Sequence, residues 1–283
     1  MKKRLLLLTT ALICLVAMGA RTDYRHRTLT MNDGLLSNAV RNIVQDPYGF
    51  IWLGTDNGLC RYDGTRVQPF RIQQLGISQY ISALFAAEDA LYAGTEKGVF
   101  WLKQKNLIFD RLPMEISSVV TSLTMDREGN LWASTMKNGV WRYTPRTGQA
   151  KQYKLKGDNN GAAQVLADNS NQIWTITNWG SPVVQRLNRL HDRFEPVALT
   201  YNGDYGGLRM LQTRDGRIWI GSWEQGLLLM DSNGKLEQML NPNLAKVGSH
   251  IHALYERDDN CICIGCDDGT ICFNPKTRSW QRL

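Results

Sequence analysis

Two histidines near the end of the chain could do chemistry by their type and spacing. His250 and His252 alternate along one predicted strand, so their side chains share a face of the sheet. Paired imidazoles can bind a metal ion or act as acid and base. No third ligand or paired carboxylate accompanies them in the sequence, and motifs for phosphate binding, serine catalysis and zinc proteolysis are missing. The pattern therefore predicts no catalytic residue, no metal site and no cofactor.

Cysteines cluster in the same part of the chain. Four of the six cysteines lie close together, at Cys261, Cys263, Cys266 and Cys272. Their spacing resembles a metal-binding motif, but two of them fall at repeat positions that hold an aromatic residue and a threonine elsewhere. They therefore fit small strand residues better than metal ligands. The sequence leaves open whether Cys263 and Cys272 form a disulfide across neighbouring strands.

A repeated block must position these residues. Its clearest copy runs from Asp46 to Thr55 and is followed by an Asn-Gly turn. The aromatic anchor Trp52 recurs at Tyr92, Trp132, Trp174 and Trp219, and Cys263 takes its place in the last copy. The intervals between anchors are 40, 40, 42, 45 and 44 residues. A period of about 40–50 residues made of short strands is typical of propeller blades.

The predicted fold is therefore an all-β propeller of six four-stranded blades, one domain over residues 20–283. The six predicted blades cover about 34–72, 77–112, 116–155, 159–198, 204–241 and 247–283. Tyr24 to Thr30 also has the pattern of a strand, which in a closed propeller often completes the last blade. Since the sixth copy has its own fourth strand, we expect a truncated seven-bladed propeller. A gene fragment, a trimmed chain or a six-bladed ring with a spare strand are the alternatives.

The first nineteen residues have the features of a secretory signal peptide. A basic start (Lys2 to Arg4) precedes an apolar stretch and small residues before Ala20. We therefore expect export to the periplasm. The net charge of +7 at pH 7 falls by three with this segment, and no Lys/Arg cluster suggests a nucleic-acid partner.

The first repeat resembles the two-component regulator propeller repeat. The segments that carry the resemblance are Gly34 to Val40, Ile43 to Asp46, Gly49 to Thr55, Asn57 to Leu59 and Arg61 to Gly64. The third and fifth copies resemble it well, and the fourth and sixth weakly. The resemblance implies the periplasmic sensor region of a hybrid two-component histidine kinase, which senses glycan fragments and can form a homodimer. The membrane helix and the kinase module of that plan do not follow in this chain.

Two tryptophans in predicted turns indicate where a ligand could bind. Trp179 and Trp223 stand between the second and third strands of adjacent blades, where an indole could stack on the apolar face of a sugar ring. The predicted oligosaccharide site consists of Trp179, Trp223, Tyr80, Tyr205, His250, Arg41 and Arg209. The same residues could instead contact a neighbouring domain or a dimer partner. A secreted propeller lyase or hydrolase that uses His250 or His252, and a scaffold for protein partners, are the competing functions.

Overall fold

The computed structural model of the protein describes most of the chain after its first 26 residues. The described residues are 27–73, 76, 79–103, 108–157, 160–177, 184–197, 207–222, 226–231, 233–240, 250–267 and 269–283. The predicted signal peptide at 1–19 lies outside them. Apart from one 3-10 turn at Met31–Asp33, every regular element within these ranges is a β-strand. Within the described part of the chain, no helix has the length and hydropathy of a membrane span.

Twenty-four strands form six sheets of four strands each. The strands of blades 1 and 2 are β1 (Val40–Gln45), β2 (Ile51–Thr55), β3 (Gly58–Tyr62), β4 (Val67–Phe70), β5 (Ala83–Ala86), β6 (Ala90–Thr95), β7 (Gly98–Lys103) and β8 (Ile108–Arg111). Those of blades 3 and 4 are β9 (Val120–Met125), β10 (Leu131–Thr135), β11 (Val140–Thr144), β12 (Gln149–Tyr153), β13 (Ala162–Ala167), β14 (Ile173–Thr177), β15 (Val184–Asn188) and β16 (Arg193–Pro196). Those of blades 5 and 6 are β17 (Gly207–Gln212), β18 (Ile218–Ser222), β19 (Leu227–Met230), β20 (Leu236–Leu240), β21 (Ile251–Glu256), β22 (Ile262–Cys266), β23 (Gly269–Asn274) and β24 (Ser279–Arg282).

Each blade is an antiparallel meander in which consecutive strands pair. The turn after the first strand needs one residue in the left-handed region, which glycine and asparagine adopt most readily. At the repeat-related positions φ is +88° at Gly49, +67° at Asn171 and +61° at Asn260. The sequence pattern of Gly and Asn at this point is therefore a backbone requirement.

The hydrophobic core is divided into clusters between neighbouring blades. Trp52 of blade 1 packs with Ile81, Leu84 and Leu91 of blade 2, and the same kind of cluster joins each following blade to the next as far as blade 6. The anchors Trp52, Trp132 and Trp174 are at most 1% exposed. Burying an indole removes about 150–250 Å² of surface from water, so the anchors supply much of the interblade contact.

Glycine in the second strand lets the next blade approach. A Cβ atom on Gly94 would lie 2.6 Å from Cγ1 of Val120 in blade 3, and one on Gly221 would lie 2.5 Å from Cγ2 of Ile251 in blade 6. The repeat-related Gly265 of blade 6 differs, because its Cβ would meet only Ala253 of the same blade.

A buried carboxylate fixes the anchor in three blades. The indole Nε1 donates to Oδ2 of the Asp six residues earlier, at 2.8 Å from Trp52 to Asp46, 2.8 Å from Trp132 to Asp126 and 2.7 Å from Trp174 to Asp168. The other carboxylate oxygen accepts from backbone N–H groups of the turn. Each of these carboxylates therefore caps its turn with one oxygen and holds the anchor with the other. In blade 5 the hydroxyl of Thr213 accepts from Trp219 at 3.3 Å.

The six innermost strands surround one channel, which confirms a six-bladed β-propeller. Blades 6 and 1 differ from the other neighbours, because none of the hydrophobic clusters among the described residues joins them. The remaining cluster, around Leu35, Leu53 and Cys60, instead joins blade 1 to the segment that precedes it. Residues 27–30, the described end of the predicted leading strand, are not a strand. A seventh blade stays a prediction.

Candidate functional site

The channel at the centre of the propeller brings together residues from all six blades. It has a volume of about 360 Å³ and is lined by the middle residues of the first strand of each blade. Most of the lining is aliphatic or carries small hydroxyl and amide groups. The charged or titratable side chains that line it are Arg41, Arg209 and His252. The channel can therefore offer hydrogen-bond donors and positive charge to a ligand.

Arg41 of blade 1 is held by a carboxylate in the turn between β2 and β3. Its Nε and Nη2 atoms donate to the two oxygens of Asp56 at 2.6 and 2.9 Å. These bonds hold the pKa of the Asp56 carboxyl below its ordinary value and raise the pKa of Arg41. Tyr80 adds a smaller electrostatic effect on Arg41. Both charged side chains are more than a third exposed, so the pair stabilises the fold by at most about 1 kcal/mol. Its main effect is to orient the guanidinium.

Asp267 of blade 6 is shared by two histidines. Nδ1 of His250 lies 2.5 Å from one oxygen of Asp267, and Nε2 of His252 lies 2.5 Å from the other. The two imidazole centroids are 6.3 Å apart; His250 directly precedes β21, and His252 is the second residue of that strand. Hydrogen bonds with His252 and then with His250 hold the pKa of Asp267 below its ordinary value. A carboxylate that orients an imidazole is the usual partner of an acid–base histidine.

The Arg41–Asp56 and His252–Asp267 pairs occupy equivalent positions in their blades. Val40 pairs with Thr55 in blade 1, and Ile251 pairs with Cys266 in blade 6. The basic residue follows the first residue of each pair, and the Asp follows the second. The mouth of the channel therefore carries one pair of a basic side chain and a carboxylate on each side of the junction between the first and last blades.

Four of the seven predicted site residues lie within the described part of the chain. Arg41 and Arg209 line the channel. Tyr80 lies close enough to Arg41 to raise the pKa of its guanidinium slightly, and His250 contacts the carboxylate of Asp267. Burial lowers the pKa of Arg209. The other three, Trp179, Tyr205 and Trp223, lie outside the described residues.

The sequence prediction misses three residues of the channel mouth. It leaves His252 out of the ligand site, and it does not name the acidic partners Asp56 and Asp267. A usable signal exists, since each Asp directly follows the last residue of the second strand and pairs with a basic residue about fifteen positions earlier. Among the described residues, no group of three or more His, Cys, Asp or Glu side chains is arranged to hold a metal ion.

A larger cavity of about 690 Å³ lies at the outer strands of blades 4 and 5. Its walls include Arg186, Glu195 and Lys235, and it contains none of the predicted ligand residues. We assign the candidate site to the central channel, because the channel mouth combines basic side chains with the carboxylates that orient them.

Two segments of the chain, residues 34–57 and 115–137, match the family model of the two-component regulator propeller. They cover the start of blades 1 and 3. Among curated proteins, none matches the chain in sequence.

Solved structures with the same fold include the extracellular domain of a putative two-component system and an enzyme. The extracellular domain of BT4673 from B. thetaiotaomicron, described as a putative hybrid two-component system, superposes with a TM-score of 0.75 at 20% identity. This alignment covers 88% of the present chain and 34% of that domain, so the chain spans about a third of its length. Virginiamycin B lyase from Staphylococcus aureus superposes with a TM-score of 0.70 at 13% identity, over 87% of this chain and 84% of the lyase. At these identities the likeness shows the fold.

Proposed function

Because the chain carries two-component regulator propeller repeats, we propose that it is the ligand-sensing propeller of an exported hybrid two-component system and that it recognises glycan fragments at the channel mouth. The observation that carries the proposal is the presence of two basic side chains that carboxylates orient, Arg41 with Asp56 and His252 with Asp267, on one mouth of the channel. The predicted signal peptide supports export, and the sensor domains of the same fold support a regulatory role.

The chemistry of the mouth suits a polyhydroxylated ligand. Each sugar hydroxyl is both a donor and an acceptor, and the mouth supplies guanidinium and imidazole N–H donors beside carboxylate acceptors. The side chains are fixed by their partners before a ligand arrives, so less conformational entropy is lost on binding. Trp179 and Trp223 come after the second strands of blades 4 and 5 in the sequence, and Asp56 comes after the second strand of blade 1. At these positions the two indoles would add stacking surfaces for sugar rings.

Binding of defined oligosaccharides to the purified chain tests the proposal. We expect one glycan class to bind the wild type in calorimetry, and Trp179→Ala together with Trp223→Ala to weaken that binding about 5- to 100-fold, from the energy of two ring contacts. Tyr48→Ala is the matched control, because Tyr48 is a 65% exposed aromatic residue in the turn between β1 and β2, on the other end of the blade. Absence of binding to any oligosaccharide would refute glycan recognition. Unchanged affinity in the double variant would refute the stacking site.

The histidine cluster supports a second candidate function, a propeller lyase. Asp267 orients two imidazoles at the channel mouth, and a correctly placed general base contributes about 10²–10⁴-fold to a rate. In this function one of the two histidines would remove a proton from a carbon atom of the substrate, and the electron pair of that C–H bond would form a double bond to the adjacent carbon. The C–O bond at the adjacent carbon would break, and the departing oxygen would keep its electron pair and take up a proton from water. Ultraviolet detection of a new double bond in polysaccharide digests, lost in His250→Ala with His252→Ala, would favour the enzyme over the sensor.

Signal transfer and dimerisation stay proposals of the same kind. The kinase module would lie in a separate part of the system, and a homodimer is expected from the resemblance alone. Sedimentation of the chain with and without a bound oligosaccharide would show whether ligand binding changes the oligomeric state.

A further inference from the structure

The anchor position has a constant set of neighbours in blades 1, 3 and 4. The anchor tryptophan bonds to the Asp six residues earlier and pairs across the strands with an arginine. In blade 3, Trp132 pairs with Arg142, whose guanidinium lies 5.7 Å from the indole ring, and Nε1 of Trp132 donates to Asp126. Blades 1 and 4 repeat this arrangement with Trp52 opposite Arg61 and Trp174 opposite Arg186.

Blade 6 changes all three members of this set. Arg257 stands at the position that Asp126 has in blade 3. The backbone N–H of each residue donates to the carbonyl of the residue four positions later in the same turn. Cys263 takes the place of the tryptophan and pairs across the strands with Cys272, which takes the place of the arginine. The blade therefore has neither the indole nor its carboxylate, and it carries two thiols face to face.

The two thiols are placed for a covalent bond. Directly opposed residues on antiparallel strands have Cα atoms about 4.5–5.5 Å apart, within the roughly 4.4–6.8 Å that a disulfide spans. The two Sγ atoms lie 2.7 Å apart, and the residues are described as thiols. A bond between them therefore requires no movement of β22 or β23.

We propose that Cys263 and Cys272 are a site of oxidative modification, where a cross-strand disulfide takes the place of the Asp–Trp lock of the other blades. The oxidant is a protein or small-molecule disulfide of an exported compartment. The half-exposed Cys263 attacks it as a thiolate and displaces one of its sulfurs, and the buried Cys272 then displaces Cys263's new partner. Two protons and two electrons leave the thiol pair, one S–S bond forms in the blade, and the oxidant is reduced to two thiols.

The electrostatic surroundings favour this order of attack. Burial, together with the contact to Cys263, raises the pKa of the Cys272 thiol to about 12, so Cys272 is protonated until it reacts. Arg257 opposes this rise, because its positive charge favours the thiolate form of Cys272. The neighbouring Cys261 is buried and also has its pKa raised by burial, which makes it a poorer first nucleophile than Cys263.

The test is selective alkylation of the full chain, made once in the bacterial periplasm and once in the reducing cytoplasm. Unfolded periplasmic protein should show two cysteines that react with a maleimide only after reduction, and cytoplasmic protein should show none. Cleavage before Asp267 separates Cys272 from the other three cysteines of the blade, so the mass of the linked peptides shows whether Cys272 is one partner, and fragmentation of the linked peptides identifies the other.

Variants make the assignment specific. In Cys263→Ser and Cys272→Ser every cysteine should react without reduction, whereas Cys261→Ser and Cys266→Ser should keep the protected pair. Reduction should lower the Tm of the wild type by about 4–8 °C and leave that of Cys263→Ser unchanged. Full alkylation of the periplasmic wild type, or a linkage through Cys261 or Cys266, would overturn the proposal. Neither outcome depends on ligand binding, so the proposed sensor function is tested separately.

Discussion

Removing the carboxylate of Asp126 should destabilise the propeller far more than its position in a turn suggests. Asp126 is 6% exposed, and its Oδ2 atom accepts from the fully buried indole of Trp132 at 2.8 Å. Its Oδ1 atom accepts from the backbone N–H of Asn130 at 2.8 Å. In Asp126→Ala the indole N–H is left buried without an acceptor, which costs about 1–3 kcal/mol, and the bonds to a charged acceptor add about 1.5–3 kcal/mol. Relief of the buried charge offsets part of this loss.

We therefore expect Asp126→Ala to lower the free energy of unfolding by about 3 kcal/mol and the Tm by roughly 6–12 °C. Asp126→Thr should lose less, because Thr213 shows that a hydroxyl can accept from the anchor at 3.3 Å. Asp63→Ala is the matched control, since Asp63 accepts from Thr65 and Arg66 in an exposed turn and contacts no indole through those bonds. Urea unfolding followed by tryptophan fluorescence measures all three. A loss in Asp126→Ala no larger than that in Asp63→Ala would refute the idea that the indole bond matters.

Two further variants test the packing between blades and the acid side of stability. Gly94→Ala should cost about 1–3 kcal/mol, because its Cβ would lie 2.6 Å from Val120. Gly265→Ala should cost less, because its nearest contact is the Cβ atom of Ala253 at 3.3 Å, and equal melting temperatures for the two variants would contradict this. Lys151 and Tyr153 bond to Asp192 and hold its pKa below the ordinary value of about 3.9. The contribution of Asp192 to the free energy of unfolding is therefore complete above about pH 3.9, and it is lost as the pH falls through the lower pKa of the folded state. The difference in Tm between wild type and Asp192→Asn should therefore be constant above about pH 5 and shrink below about pH 4; a difference that does not change with pH would show that the ion pair contributes nothing.

Features that recur in every blade can be predicted from the sequence. The turn that requires positive φ is visible as Gly49, Asn171 and Asn260 at one repeat position, because few other residues adopt that conformation at low cost. The anchors are visible for the same reason, since large aromatic residues at one strand position need a common buried environment. Six four-stranded blades follow from these two periodic signals.

The candidate site is harder to predict because it is made of pairs that lie far apart in the sequence. Asp267 follows His252 by fifteen residues, and only the register of β21 against β22 brings the two together. A register shift at the start of β21 makes the contact harder still to predict from strand alternation. The bond from Trp132 to Asp126 can be predicted from the sequence, because an Asp precedes the anchor by six residues in blades 1, 3 and 4. Asp side chains in turns are common caps, which would predict the role of one carboxylate oxygen, and the structure shows that the other oxygen bonds to the indole.

The cysteines at the anchor position of blade 6 can be explained by the contacts between this blade and its neighbours. In blades 1 to 5 the anchor lies in a cluster shared with the next blade, and the second-strand glycine of blades 1, 2 and 5 is pressed against that neighbour. Among the described residues, no cluster joins blade 6 to blade 1, and Cys263 in the anchor position is only half-buried. An indole there would gain little from burial, because its energy comes from the area that a neighbouring blade covers. Two cysteines at these positions therefore sacrifice little stabilisation from burial. A disulfide between them would link the two central strands of the blade without any contact from a neighbouring blade. The weak match of the sixth repeat to the others is therefore a consequence of its place in the ring.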